Sequence, residues 1–442
     1  MLLQSPHSLK RVSCFLVALF CLALVLSGCH NRSSSGFALR EAPRSSWHPA
    51  SSRPSRPSVS SRPRAKGYPI RSDSPRPQDL SSKGGLLTGG SLDDLAGLAS
   101  YWALAETLSN RSESVADYSP VVFQINDQRG KPIGGCEVQI DGLKRWNTLH
   151  AKTKSNGKII LLDTLDGVRH GSEKELTLRL RPPQRQVWTT HQIRVHAQSG
   201  TPHVVQLQHY RAEAPQKMDL AFVIDTTGSM GDELKYCQVE IQGIARAIAR
   251  RFPNVQQRYA LVVYRDRGDD YVVHKYDFTD SLQAFERTLS QCSASGGGDY
   301  PEAVERGLEA AGQLQWQSGN VARVCFHLAD APPHDRAIER TFKAVSALRT
   351  QGVALYPVAA SGVDKLAEWT MRTEALMTGS NYLFLTDDAG VGNPHATPTA
   401  GRFDVETLKE LMIRMAVQEL TGFKLSSRRG EVLRTAWGED GP

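Results

Sequence analysis

Asp225, Thr227 and Ser229 stand at alternate positions in the segment MDLAFVIDTTGSM, residues 218–230, an apolar run that ends in a turn of hydroxyl residues and glycine. A carboxylate and two hydroxyls at this spacing are oxygen donors suited to a hard cation such as Mg²⁺, which takes few protein ligands and keeps several waters. The apolar run has strand length, and open α/β sheets bind ligands beyond the carboxyl ends of their strands. An aspartate there, taken alone, more commonly caps a helix. The two hydroxyls turn the reading toward a metal.

The elements that must position these residues alternate in type from 217 to 422. Runs of strand character cover 219–225, 259–265, 272–278, 321–329, 353–359 and 382–385, and helical stretches cover 232–251, 283–289, 301–314 and 407–420. Pro301 suits a first helical turn, where its missing donor is not needed. This alternation predicts an α/β fold, a doubly wound and mostly parallel Rossmann-like sheet covered on both faces.

The Asp-x-Thr-x-Ser pattern, together with Asp330 in HLADAPPHD, resembles the metal-ion-dependent adhesion site of von Willebrand factor type A domains. The resemblance implies that Asp225, Thr227, Ser229 and Asp330 hold a divalent metal, Mg²⁺ foremost with Mn²⁺ or Ca²⁺ as alternatives. It also implies that an Asp or Glu of a protein partner completes the coordination. The middle motif departs from the pattern. Many relatives have a threonine after two glycines, whereas SGGGDYPE at 295–302 puts Gly298 at that place and Asp299 just beyond. The GGGD-x-PE form, with YRDRGD at 264–269 and DAPPH at 330–334, is similar to a bacterial subgroup, and Asp299 is the expected substitute ligand, directly or through water. His334 is expected to be solvated rather than a ligand, since hard ions prefer oxygen. Asp266, Asp269 and Asp270 read as a solvated charge run outside the site.

DTTGS also resembles the DKTGT-type motif of phosphoaspartyl enzymes of the haloacid dehalogenase superfamily, with Asp387 and Asp388 imitating its acidic pair. Against this, Thr226 stands where those transport enzymes have lysine, and the second aspartate that most of the phosphatases use as general acid is missing. No Ser-His-Asp elbow, Walker loop or HExxH signature occurs. The expectation is recognition rather than catalysis, so not an enzyme. A third reading, a structural envelope protein with a vestigial site, rests on Gly298.

Toward the amino terminus, Lys10 and Arg11 precede an apolar run at 12–26 that ends in Leu-Ser-Gly-Cys, too short for a comfortable membrane span. This resembles a bacterial lipoprotein signal, which implies removal of residues 1–28, lipidation of Cys29 and anchoring to a membrane. His30 in place of an aspartate favours the outer membrane in a diderm organism. Residues 29–91 are rich in Ser, Pro and Arg and read as a disordered tether. Between 31 and 91, eleven Lys and Arg face three acidic residues, so the tether accounts for the formal charge of +7. Export and the lack of aromatic residues interleaved with the basic ones argue against a nucleic-acid partner.

Residues 92–118 read as a short helical segment. Strand-like runs at 121–125, 137–140, 158–162, 176–180, 192–195 and 204–207, separated by turn signals, predict a small all-β sandwich over 119–210. The phrase GKPIGGCEVQIDG followed by TKSNGKIIL resembles carboxypeptidase-regulatory-like, transthyretin-like domains, which implies a spacer or binding module. The tail 423–442 is polar and is expected to be disordered. Once Cys14, Cys21 and Cys29 are set aside, Cys136, Cys237, Cys292 and Cys325 remain, and four cysteines allow three pairings. Cys237 lies on the first helix of the expected metal domain and Cys292 just before the GGGD loop, so a bridge between them, bracing the site, is the pairing expected; Cys136 and Cys325 read as buried thiols.

Overall fold

The apolar run that ends at Asp225 becomes strand β9 (Lys217–Asp225), in which every residue after Lys217 is buried. A strand covered on both faces reads as a continuous apolar run, and this one lies at the centre of the sheet. The computed structural model describes residues 87–111, 114–168, 171–196, 201–298, 300–390 and 394–439. The expected signal, lipidated Cys29 and nearly all of the expected tether lie outside the described residues, as does Asp299.

In chain order the strands are β1 (Thr88–Leu92), β2 (Pro120–Asp127), β3 (Glu137–Asp141), β4 (Thr148–Lys152), β5 (Lys158–Leu162), β6 (Glu173–Arg181), β7 (Thr189–His196) and β8 (His203–Leu207). After β9 come β10 (Gln256–Tyr264), β11 (Val273–Thr279), β12 (Ala322–Ala329), β13 (Ala354–Ala359), β14 (Tyr382–Thr386), β15 (Arg402–Thr407) and β16 (Arg434–Trp437). The large sheet runs β11-β10-β9-β12-β13-β14-β1-β15-β16. Strands β10, β9, β12, β13 and β14 are parallel, whereas β11 on one side and β1, β15 and β16 on the other are antiparallel additions. The chain proceeds from β9 outward to β10, then crosses back to β12 on the other side. That reversal is a topological switch point, where crevices open at the carboxyl ends of strands.

The boundaries differ from those read in the sequence. Strand β1 precedes the sandwich yet sits between β14 and β15, with Thr88 opposite both Thr386 and Thr407. The Leu98–Leu108 helix packs with it, and the Tyr101 hydroxyl lies 2.9 Å from Thr373 Oγ1 on the Lys365–Thr378 helix. Residues 87–108 therefore belong to the α/β unit, and the sandwich is inserted into that unit. The sequence hides β1 because TGGSL is poor in strand-forming residues. Close approach demands its glycines: a Cβ on Gly89 would lie 2.6 Å from the Phe384 carbonyl oxygen, and one on Gly90 would lie 2.5 Å from the Phe384 ring. The tail is likewise ordered through 437, where β16 pairs with β15 as an edge strand.

The Lys365–Thr378 helix was absent from the predicted helices for a physical reason. All its residues after Lys365 are buried, including Arg372 and Glu374, so no polar face marks the period. Its ends are nonetheless conventional: the Asp364 side chain accepts from Ala367 N at 2.9 Å, and Gly379 ends it in the left-handed conformation. The Ile338–Thr350 helix was missed too, and it starts without a side-chain cap.

The inserted module consists of sheets β5-β2-β8 and β4-β3-β6-β7 around its own core, which includes Phe123, Ile140, Leu161 and Leu178. It is not a bead on a string. Val122, Ile160 and Leu162 share a cluster with Val223, Cys325 and Trp369 of the α/β unit. Lys154 donates to the Gly379 carbonyl at 2.7 Å and pairs with buried Glu419 at 2.9 Å.

The expected disulfide does not form: Cys136, Cys237, Cys292 and Cys325 are all free. Cys237 is buried on the Leu234–Arg251 helix, and Cys292 Sγ instead donates to the Thr288 carbonyl at 3.5 Å. The link between these segments is made by the Gln238 amide, which donates to Leu289 O and Cys292 O at 2.9 Å each.

Candidate metal centre

Asp225 is the last residue of β9, and Asp330 follows β12 directly. Because Ile224 pairs with Leu328 in parallel register, the two carboxylates emerge at the same end of adjacent strands, at the switch point. Asp225 is fully buried. Its Oδ1 accepts from Thr227 N at 2.9 Å and from Thr227 Oγ1 at 2.7 Å, while its Oδ2 has no hydrogen-bond partner. Thr227 Oγ1 lies 3.1 Å from Ser229 Oγ. Asp330 is buried as well, and its Oδ1 is unpartnered. The structure thus brings together Asp225, Thr227, Ser229 and Asp330.

The electrostatics of this cluster suit a cation. Burial pushes the Asp225 carboxyl up, the Asp330 charge adds to this, and hydrogen bonds from Thr227 oppose it. Burial likewise raises Asp330, opposed by a hydrogen bond from Ser229. Buried carboxylate oxygens without partners are unfavourable by a few kcal/mol unless something satisfies them. Among the described residues no group of three or more His, Cys, Asp or Glu side chains forms a ready metal cage. The donor set is mixed, carboxylate and hydroxyl, and this fits a hydrated hard ion better than a soft one.

The surrounding loops are fixed by residues that had looked like a solvated run. Asp269 accepts from Gly297 N through both oxygens, at 3.1 and 2.9 Å, and Asp266 N donates to Asp269 Oδ2 at 3.1 Å. Asp266 is itself buried and lies 2.9 Å from His334 Nε2, so His334 is held by a carboxylate rather than by solvent. Only Asp270 of the three is solvated, with its side chain 89% exposed. Gly228 N donates to Gly296 O at 3.0 Å, and a Cβ on Gly228 would come within 2.8 Å of that oxygen. Arg265 ties the loops together, donating to Thr226 O at 3.1 Å and Ser293 O at 2.9 Å while its guanidinium lies over the Tyr271 ring.

Glu302 is the residue that sequence reasoning missed. It is buried, its Oε2 is unpartnered, and burial followed by the charges of Asp225, Asp266, Asp330 and Asp269 pushes its carboxyl up to about 9. Its backbone N donates to Pro332 O at 3.0 Å, which fixes it beside the loop after Asp330. A buried acid inside the Pro-Glu of a glycine-rich loop was the available signal. Behind the site, Tyr264 OH is 3.0 Å from His327 Nε2, and His327 Nδ1 is 2.9 Å from Glu374 Oε2. Asp387 and Asp388, the acidic pair of the phosphoaspartyl reading, are taken up by His395 and Arg434 respectively.

Residues 219–375 match the family model described as von Willebrand factor A domain. The chain is 29% identical over 133 residues to the alpha-protein kinase vwkA of Dictyostelium discoideum, covering 29% of this chain and 21% of that protein. It is 34% identical over 92 residues to von Willebrand factor A domain-containing protein 7 of Homo sapiens, covering 21% of this chain and 10% of that protein. It therefore spans only about a fifth and a tenth of these relatives' lengths. Among solved structures it is similar to proximal thread matrix protein 1 from the mussel byssus with a zinc-occupied MIDAS motif, at 22% identity and a TM-score of 0.29, over 37% of this chain and 40% of that one. Residues 219–375 are thus similar to the von Willebrand factor A domain, and the mixed α/β sheet also takes in strands from outside that span.

Proposed function

We propose that this domain binds a divalent metal, Mg²⁺ foremost, and through it the carboxylate of a protein partner, and that the chain is held at a membrane by a lipid on Cys29. The observation that supports this best is the facing pair Asp225 and Asp330, each buried with one unpartnered oxygen beside the Thr227 and Ser229 hydroxyls. Thr227 and Ser229 would hold the ion by their hydroxyls, and Asp225 and Asp330 directly or through water. The bound ion supplies an electrophilic position for an incoming carboxylate. The chain's own part is to keep that position rigid: Asp225 orients the Thr227 hydroxyl by accepting its hydrogen bond, and Asp269 and Arg265 tie the surrounding loops together. The role proposed is recognition rather than catalysis.

Calorimetric titration of the full chain with Mg²⁺, Mn²⁺ and Ca²⁺, beside Asp225→Ala, tests the reading. Saturable binding is expected in the wild type and absent in the variant, and acetate, as a stand-in for the partner's carboxylate, is expected to tighten it. No binding by the wild type would favour a structural role in the envelope. The anchor is tested separately by incorporation of labelled palmitate, which Cys29→Ala is expected to abolish.

A further inference from the structure

We infer that Glu302 is the third protein ligand of the metal centre, filling the place that Gly298 leaves without a side chain. The inference rests on the metal-binding reading above and assigns to the site a residue outside the motif that suggested it. Three observations carry it.

Glu302 is 2% exposed, and its Oε2 has no hydrogen-bond partner. The cations nearby are committed elsewhere: Arg267 pairs with buried Glu305 at 2.6 Å, and Arg265 donates to backbone carbonyls. Asp266 and Asp269 are also satisfied, by His334 and by backbone N–H groups. Asp225, Asp330 and Glu302 each keep one orphaned buried oxygen at this end of the sheet.

The side chain also lies near Thr227. A Cβ built on Gly297 would lie 3.1 Å from Glu302 Oε1 and 3.4 Å from Thr227 Cβ, so the carboxylate and Thr227 border one gap that a glycine keeps open. The backbone of Glu302 is fixed to the loop that carries Asp330, through its bond to Pro332 O and its bridge to Pro333. One carboxylate and two hydroxyls in contact with the ion, with Asp225 and Asp330 on its waters, is a set that needs no cage of three acids, in keeping with the absence of such a cage among the described residues. A carboxylate in place of a neutral hydroxyl adds one negative charge at the ion, which strengthens its hold before any partner arrives.

The test is a titration of the full chain with Mn²⁺, with bound ion counted by electron paramagnetic resonance, for wild type, Glu302→Gln, Asp299→Asn and Asp225→Asn. Glu302→Gln is expected to weaken binding by about tenfold or more, the scale on which loss of a supporting group acts at metal sites. Asp299→Asn tests the substitute ligand expected from the GGGD motif. Wild-type affinity in Glu302→Gln with loss in Asp225→Asn would overturn the assignment and leave the metal reading standing, as would loss in Asp299→Asn alone. No saturable binding in the wild type would overturn both. Melting in EDTA checks the fold of each variant; if Glu302→Gln gives no cooperative transition, Glu302→Asp, which keeps the charge but shortens the side chain, carries the same expectation.

Discussion

Arg349, near the end of the Ile338–Thr350 helix, grips Asp166 of the inserted sandwich through two guanidinium nitrogens, each at 2.7 Å, and both side chains are buried. The same guanidinium donates to Ile160 O at 2.9 Å. Removing one partner of a buried pair strands the other charge, so Arg349→Ala is expected to destabilise the protein by about 3–5 kcal/mol. Because this contact joins the two parts, both are expected to unfold in one transition. Urea unfolding followed by near-UV and far-UV circular dichroism would check it, and two separated transitions in the wild type would contradict it.

A fragment cut at the boundaries read from the sequence, 217–422, is expected not to fold cooperatively. It lacks β1, which pairs with β14 along five residues and also contacts β15, and it lacks the Leu98–Leu108 helix with buried Tyr101 and Leu104. It would also leave Arg372 buried without Asp94, whose two oxygens it engages at 3.0 and 2.5 Å. A fragment that melts as sharply as the full chain would refute this.

The central strands and the Asp-x-Thr-x-Ser motif were legible because a parallel strand buried on both faces must be apolar, so the run and the hydroxyl turn that ends it stand out in the sequence. Asp225 and Asp330 stand at the ends of such runs, and the register of β9 with β12 places them as their motifs suggested. Other parts were illegible for identifiable reasons. Strand β1 is built on glycines that only the approach of Phe384 explains, and the Lys365–Thr378 helix has no polar face to reveal its period. Asp266 and Asp269 carry the signature of a solvated loop, and their partners, His334 and Gly297, are distant in sequence. Glu302 requires knowing that two loops meet.

Metal-free stability is expected to fall as pH rises. The Glu302 carboxyl is raised to about 9, and those of Asp225 and Asp330 are raised by burial, so the folded state holds protons that the unfolded state gives up near pH 4. Between those limits the native state binds more protons, and stability is lost as pH climbs through the folded values. In EDTA the melting temperature is therefore expected to be higher at about pH 5.5 than at about pH 8, both of which lie between the unfolded carboxyl values and that of folded Glu302. Mn²⁺ is expected to stabilise more at the higher pH, where the carboxyls hold fewer protons for the ion to displace. Equal melting at the two values, with no metal effect at either, would count against a cation site.

Gly297 offers the sharpest separation of backbone from site. Its φ is +73°, a region that costs a residue with a Cβ about 1–2 kcal/mol. Its N–H can still reach Asp269 after substitution by alanine, so the loop anchor survives. The new methyl, however, would stand between Glu302 and Thr227, in the gap where the ion is proposed to sit. Gly297→Ala is expected to lower stability by about 1–2 kcal/mol and to weaken Mn²⁺ binding by about tenfold or more. Gly298→Ala is the control, since a Cβ there meets nothing within 4 Å and its φ is not in the left-handed region. It is expected to change neither quantity. Mn²⁺ titrations and urea melts of the two variants side by side give the comparison. Wild-type binding by Gly297→Ala would place the ion away from the Thr227 and Glu302 gap.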